Sequence, residues 1–130
     1  MDFAEDETHG DLRDGVRRVC RAFDDAYWRA LDARHEFPWA FYDAMASGGW
    51  VGVALPEAYG GGGLGITEAS IVLEEVAASG AAMNGCSALH TSIFGMNPVV
   101  KHGSDHLRDT YLPEVVAGRL HVAFGVTEPD

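Results

Sequence analysis

The chain is short of basic residues. Nine Lys and Arg stand against twenty Asp and Glu, giving a formal charge of −11. So acidic a surface repels phosphate backbones and anionic lipids, which argues against nucleic-acid and membrane-surface roles. Any anionic ligand then needs a local site of its own. Cysteine is also scarce: Cys20 and Cys86 lie far apart with no C-x-x-C spacing, a pattern that fits two reduced thiols in a cytoplasmic protein. No apolar run approaches ~18 residues, so no membrane-spanning helix is expected. The acidic opening, Met1–Glu7, is unlike a secretory signal or an Arg-rich transit peptide.

Several catalytic arrangements are missing too. No Gly-Lys-Ser/Thr marks a phosphate loop, and no Ser/His/Asp or Cys/His set stands out. His102 and His106 have the spacing of helical metal ligands, but Gly103 and Ser104 break the helix between them and no third ligand is evident. Adjacent Glu74 and Glu75 diverge around a helix rather than sharing a site.

What is present is enough for one domain with a core: 47% of the 130 residues are hydrophobic. Residues 1–10 are polar and read as a frayed terminus. From Asp11, Leu12, Val16, Val19, Phe23, Ala26, Tyr27, Ala30 and Leu31 recur at steps of four and three, predicting one amphipathic helix. Arg13, Arg17, Arg18, Arg21, Asp24, Asp25 and Arg29 read as its solvated face. Pro38 suits the first turn of a second helix carrying Trp39, Phe41, Tyr42 and Met45, which Ser47-Gly48-Gly49 ends. Trp50–Leu55 is a short apolar run, buried and extended or irregular.

A glycine-rich stretch then divides the chain. Pro56 stops what precedes it, and four consecutive glycines, Gly60–Gly63, cannot form a helix cheaply. Gly60, Gly62 and Gly65 spell G-x-G-x-x-G, yet a dinucleotide fingerprint needs a strand directly before it and a carboxylate about 20 residues on. Pro56–Tyr59 intervene on one side, and Gly80–Gly85 hold no carboxylate on the other. The stretch reads as a structural connection between helices.

Beyond it, Thr67 is expected to cap a third helix, with Glu68 at its positive end and Ile66 and Ile71 as a hydrophobic staple. Ile71, Val72, Leu73, Val76 and Ala77 bury, Glu74 and Glu75 point outward, and Gly80 ends the helix. A small-residue helix follows over about 82–95 and carries His90, Thr91 and Phe94; His90 and Phe94 share a face. For His90, a buried histidine in a packing seam competes with a ligand contact. A short turn over 98–102 and a helix capped by Ser104 lead to Gly118. Then the period changes: Leu120, Val122, Phe124 and Val126 alternate with His121, Ala123 and Gly125, a strand signal.

Four segments in order resemble the acyl-CoA dehydrogenase family. Leu55-Pro56-Glu57-Ala58-Tyr59-Gly60-Gly61 with Gly63-Leu64-Gly65 is similar to its "PEEYGGLGL" loop. Ala88–Ile93 is similar to the helix that family sets beside the acyl chain. Gly103-Ser104, Tyr111-Leu112-Pro113 and Gly118 match its spacing. Phe124-Gly125-Val126-Thr127-Glu128-Pro129 matches the opening of its "TEPxAGSD" flavin signature. The similarity covers residues 11–130.

The resemblance implies a mainly α fold: the family's N-terminal helical domain over 11–119, then over 120–130 the first strand of a middle β-barrel domain. It implies FAD as cofactor and α,β-dehydrogenation of an acyl-CoA thioester, with electrons passed to electron-transfer flavoprotein or another acceptor. By the same resemblance Phe124, Val126 and Thr127 contact the flavin, and His90, Thr91 and Phe94 line the acyl pocket. The catalytic Glu is expected in a C-terminal domain, so none of these residues is the base, and the 130-residue chain alone is expected to be inactive. Family members assemble as dimers or tetramers. Alternatives remain: an acyl-CoA oxidase or flavin monooxygenase on the same fold, or a non-catalytic helical module or half of a split dehydrogenase. In the last case the strand edge at 120–126 needs a partner.

Overall fold

The computed structural model describes residues 7–127. Seven α-helices run in order: α1 Glu7–Cys20, α2 Asp25–Arg34, α3 Trp39–Ser47, α4 Ile66–Val76, α5 Ala82–Gly95, α6 Asn97–His102 and α7 Asp105–Val116. The fold is mainly α, as expected. α4 is central: Ala69, Ile71, Val72 and Val76 are buried on it, between α1 on one side and α5 on the other. α3 spans α1 and α5, and places Phe41, Tyr42 and Met45 fully inside. Burying side chains of that size contributes roughly 1.5–3 kcal/mol each.

The single helix expected from Asp11 to Leu31 is two. Its periodicity continues through Phe23, but the backbone turns at residues 21–24, and Asp24 accepts a hydrogen bond from Tyr27 N–H at 2.9 Å to start α2. The break lets Phe23 meet Tyr27 and Phe41 edge-on, with centroids 4.9 and 5.4 Å apart. α1 begins at Glu7, inside the stretch read as frayed; residues 1–6 lie outside the described residues.

Gly65, not Thr67, caps α4. Its N–H donates to Glu68 Oε2 at 2.8 Å, and Ile66 stands 66% exposed rather than forming a staple. Gly80, at φ 94°, breaks the helical path after α4 inside a π-type turn, Ala77–Ala81. Ser104 caps α7 as expected, accepting from Leu107 N–H.

No strand forms among the described residues. The segment expected as a strand over 120–126 runs without regular structure past residue 120, because a strand needs a partner ladder and the helical domain offers none. Leu120 and Val122 are half-buried against the core. Glu128 and Pro129 of the flavin-like motif lie outside the described residues.

Candidate functional site

α5 holds three of the expected site residues, and its small side chains let it sit close to its neighbours. Ala88, Leu89, Ser92 and Ile93 bury one face. Ser92 Oγ lies 3.1 Å from Tyr42 Oη, a hydrogen bond sealed inside the core. Burial pushes the Tyr42 phenol up, opposed by the Ser92 hydrogen bond. The opposite face carries exposed His90, with Thr91 and Phe94 half-buried. His90 is therefore not a histidine buried in a packing seam.

Phe94 lines a cavity of about 450 Å³ with Leu55, Leu64, Ile66 and Val100. Its wall includes neither His90 nor Thr91. The cavity lies between the glycine stretch and α5–α6, so the stretch helps shape it, and Asn97 and Lys101 of α6 add polar groups to its apolar lining.

The terminal segment crosses the end of α5. A Cβ built on Gly95 would come within 3.0 Å of both Val122 and Phe124. Gly95 is thus what lets the segment lie this close. Phe124 rests beside the residue that follows Phe94, so these two expected site residues share one end of α5. Phe124 is 55% and Val126 83% exposed, and Thr127 is exposed as well. Residues 121–127 donate no backbone hydrogen bond to another described backbone group.

The glycine stretch is bonded differently. The N–H groups of Gly60, Gly61, Gly62, Gly63 and Leu64 donate to the carbonyls of Glu57, Pro56, Gly52, Leu55 and Val53, at 2.8–3.2 Å. With Gly65 N–H on Glu68, every donor from 60 to 65 is used internally. A phosphate cradle needs such donors free. A Cβ at Gly61 would overlap the Leu55 carbonyl, and one at Gly62 would sit 2.8 Å from Val53 O. The glycines let the stretch fold flat on residues 52–55.

Sequence reasoning missed a charged cluster. The helical pattern predicts an outward Glu75, yet it is 5% exposed. Its carboxylate accepts from Arg13 Nη1 at 2.6 Å, Arg17 Nε at 2.7 Å and Arg17 Nη2 at 2.9 Å, while Glu74 accepts from Arg13 Nη2 at 2.9 Å. Burial pulls the Glu75 carboxyl up, but hydrogen bonds and charge from Arg17 and Arg13 outweigh it and hold it below the ordinary carboxylate range. The signal was present as Arg13 and Arg17, four apart on one face of α1. The cluster borders a cavity of about 370 Å³ that Cys20 and Ser79 also line. Burial raises the Cys20 thiol above its usual range, offset by a Ser79 hydrogen bond, which makes it a poor nucleophile. No group of three or more His, Cys, Asp or Glu able to hold a metal occurs among the described residues, and His102 and His106 are exposed. No described helix is long and apolar enough to cross a membrane.

Comparison with known proteins gives a consistent result. Residues 6–119 match the family described as "Acyl-CoA dehydrogenase, N-terminal domain". Over 128 residues the chain is 35% identical to acyl-CoA dehydrogenase FadE12 of Mycobacterium tuberculosis H37Rv, covering 98% of this chain and 32% of that protein. It is 30% identical over 99 residues to an acyl-CoA dehydrogenase of Bacillus subtilis, covering 76% of this chain and 26% of the relative. It is 31% identical over 100 residues to acryloyl-CoA reductase (NADH) of Anaerotignum propionicum, covering 77% and 25%. The chain thus spans about a third or less of the length of these relatives.

Proposed function

We propose that this chain, which belongs to the acyl-CoA dehydrogenase family through its N-terminal domain, supplies part of the site of an FAD-dependent enzyme. The reaction is α,β-dehydrogenation of an acyl-CoA thioester. The observation that supports this best is the meeting of Phe124 with the end of α5 at Gly95, directly after Phe94. It supports the reading because it brings Phe124 to the end of α5 that also carries Phe94.

The residues present fit one part of FAD and not another. Exposed Phe124 and Val126 offer apolar contact to a flat ring. The unused backbone donors of 121–127 and the Thr127 hydroxyl suit its heteroatoms. The pyrophosphate has no such place on the glycine stretch, whose donors are all taken. When bound, FAD supplies the two-electron acceptor for the hydride leaving the β-carbon.

On this reading Phe94 gives the acyl group an apolar wall, His90 and Thr91 line its exposed margin, and Thr127 orients the ring by its hydroxyl or N–H. Glu75 is not the base, because Arg13 and Arg17 hold its lone pairs and keep it ionised. That carboxylate is assigned to another part of the protein. The same reading takes the protein as a cytoplasmic dimer or tetramer passing electrons to electron-transfer flavoprotein or another acceptor.

The test is a titration of the isotope-labelled chain by NMR with FAD and, separately, with butyryl-CoA. Weak shifts are expected at Phe124, Val126 and Thr127 for FAD, and at His90, Thr91 and Phe94 for the thioester. A Kd near millimolar corresponds to about 4 kcal/mol, modest enough that neither ligand survives desalting. Shifts confined to Gly60–Gly65, or none, overturn the reading.

A further inference from the structure

Among the described residues, the segment carrying Phe124, Val126 and Thr127 makes no backbone hydrogen bond, and its contacts with the helices run through side chains. Phe124 and Val122 touch α5 at Gly95. A second anchor lies just before them. The His121 ring packs against three aromatic rings: Tyr42 at a centroid distance of 4.0 Å and a 35° tilt, Trp39 at 4.9 Å and Phe37 at 5.1 Å, both closer to edge-on. Phe37 and Trp39 also touch each other, at 4.6 Å. These rings come from the start of α3 and the loop before it.

Tyr42 makes the clasp more than a local contact. It is fully buried, and its hydroxyl is tied to Ser92 on α5. Ser92 adjoins Thr91 and lies two residues before Phe94. One aromatic side chain therefore joins the helix carrying the proposed acyl wall to the segment carrying the proposed flavin contacts. Partial desolvation against these rings lowers the His121 imidazole below its usual range, opposed by the Asp43 carboxylate, while the residue keeps an exposed edge.

We propose that His121 is a positioning residue: clasped by Phe37, Trp39 and Tyr42, it fixes the segment 122–127 across the end of α5 and so presents Phe124, Val126 and Thr127 beside Phe94. The role given to those four residues rests on the functional reading above; the clasp itself does not. His121 touches no substrate or cofactor on this account. It acts through the segment that follows it, and the contact it makes is one of ring stacking, which an uncharged aromatic replacement retains.

The experiment uses the 130-residue chain, with His121→Ala and His121→Phe, and reads the NOE between the Phe124 ring and the Gly95 Hα protons. In His121→Ala this NOE falls at least fivefold and resonances of 122–127 move toward random-coil values, while those of α1–α7 stay in place. In His121→Phe at least half of it returns. FAD-induced shifts at Thr127 fall at least threefold in the Ala variant and recover in the Phe variant, a rescue that general loss of stability would not produce. Trp39→Ala, which removes an exposed wall of the clasp, roughly halves the NOE and serves if His121→Ala does not fold. A full-strength NOE in either Ala variant, or a Phe variant as disordered as the Ala one, overturns the proposal. Absence of any FAD shift in the unsubstituted chain refutes the flavin reading instead, and leaves the Phe124–Gly95 result standing on its own.

Discussion

Replacing Glu75 by Gln tests how α1 is held on α4. The substitution keeps shape and one acceptor oxygen but turns the other oxygen into an amide donor facing guanidinium donors at 2.6–2.9 Å. Breaking a fully buried ion pair costs about 3–5 kcal/mol. The Glu75 side chain is 6% and that of Arg13 13% exposed, but Arg17 is 47% exposed and solvent screens its share. Arg13 also keeps Glu74, and Arg17 keeps Asp14 at 3.4 Å. The expected loss is therefore about 2 kcal/mol, below the fully buried range, and a fall in Tm of about 8 °C. The pH dependence has a definite sign. A carboxyl held below its ordinary value of 4.5 stabilises the fold above that value, and the contribution is lost as pH falls through the folded-state pKa. The gap between wild type and Glu75→Gln in urea unfolding should thus be full at pH 6 and close on acidification below about 4.5. A gap under about 0.5 kcal/mol, or one constant down to about pH 2, refutes the reasoning.

Other expectations come from close contacts and burial. Gly61→Ala should lower the urea midpoint by the equivalent of roughly 1–3 kcal/mol, since its Cβ overlaps the Leu55 carbonyl; a neutral result removes the close-approach explanation. Ser92→Ala leaves the buried Tyr42 hydroxyl without its partner and should cost about 1–2 kcal/mol in chemical denaturation, where an unchanged midpoint argues against the bond. Alkylation of the native chain should label half-exposed Cys86 well before buried Cys20, with both slower than a free thiol because burial raises each. Faster labelling of Cys20 would place it at an accessible surface.

The features legible in the sequence were those set by local chemistry. α5 begins and ends where its small-residue run does, Ser104 caps α7, and Gly49 supplies the left-handed residue after α3. Against the G-x-G-x-x-G as a phosphate site, the structure adds a physical reason to the mismatched spacing: the donors of residues 60–65 are spent internally. What was not legible depended on tertiary pairing. Val19, Phe23 and Tyr27 keep helical spacing across a break, so periodicity alone joins α1 to α2; the Asp24 cap was the counter-signal. Glu75 looks like a surface carboxylate until Arg13 and Arg17 of α1 are laid against it. The alternation over 120–126 is a true strand pattern, but a pattern cannot show whether a partner ladder is there. His121 read as one alternating residue, because its three aromatic neighbours lie some eighty positions away in the chain.

The central claim is that the flavin-facing surface is the terminal segment and not the glycine stretch that resembles a nucleotide motif. Amide hydrogen exchange with and without FAD decides it most directly. The amides of Gly60–Gly65 should be protected without ligand and unchanged by it, since each already has an internal acceptor. Those of 121–127 should exchange freely alone and slow when FAD is added. Slowing confined to Gly60–Gly65, with 121–127 unaffected, would contradict the account.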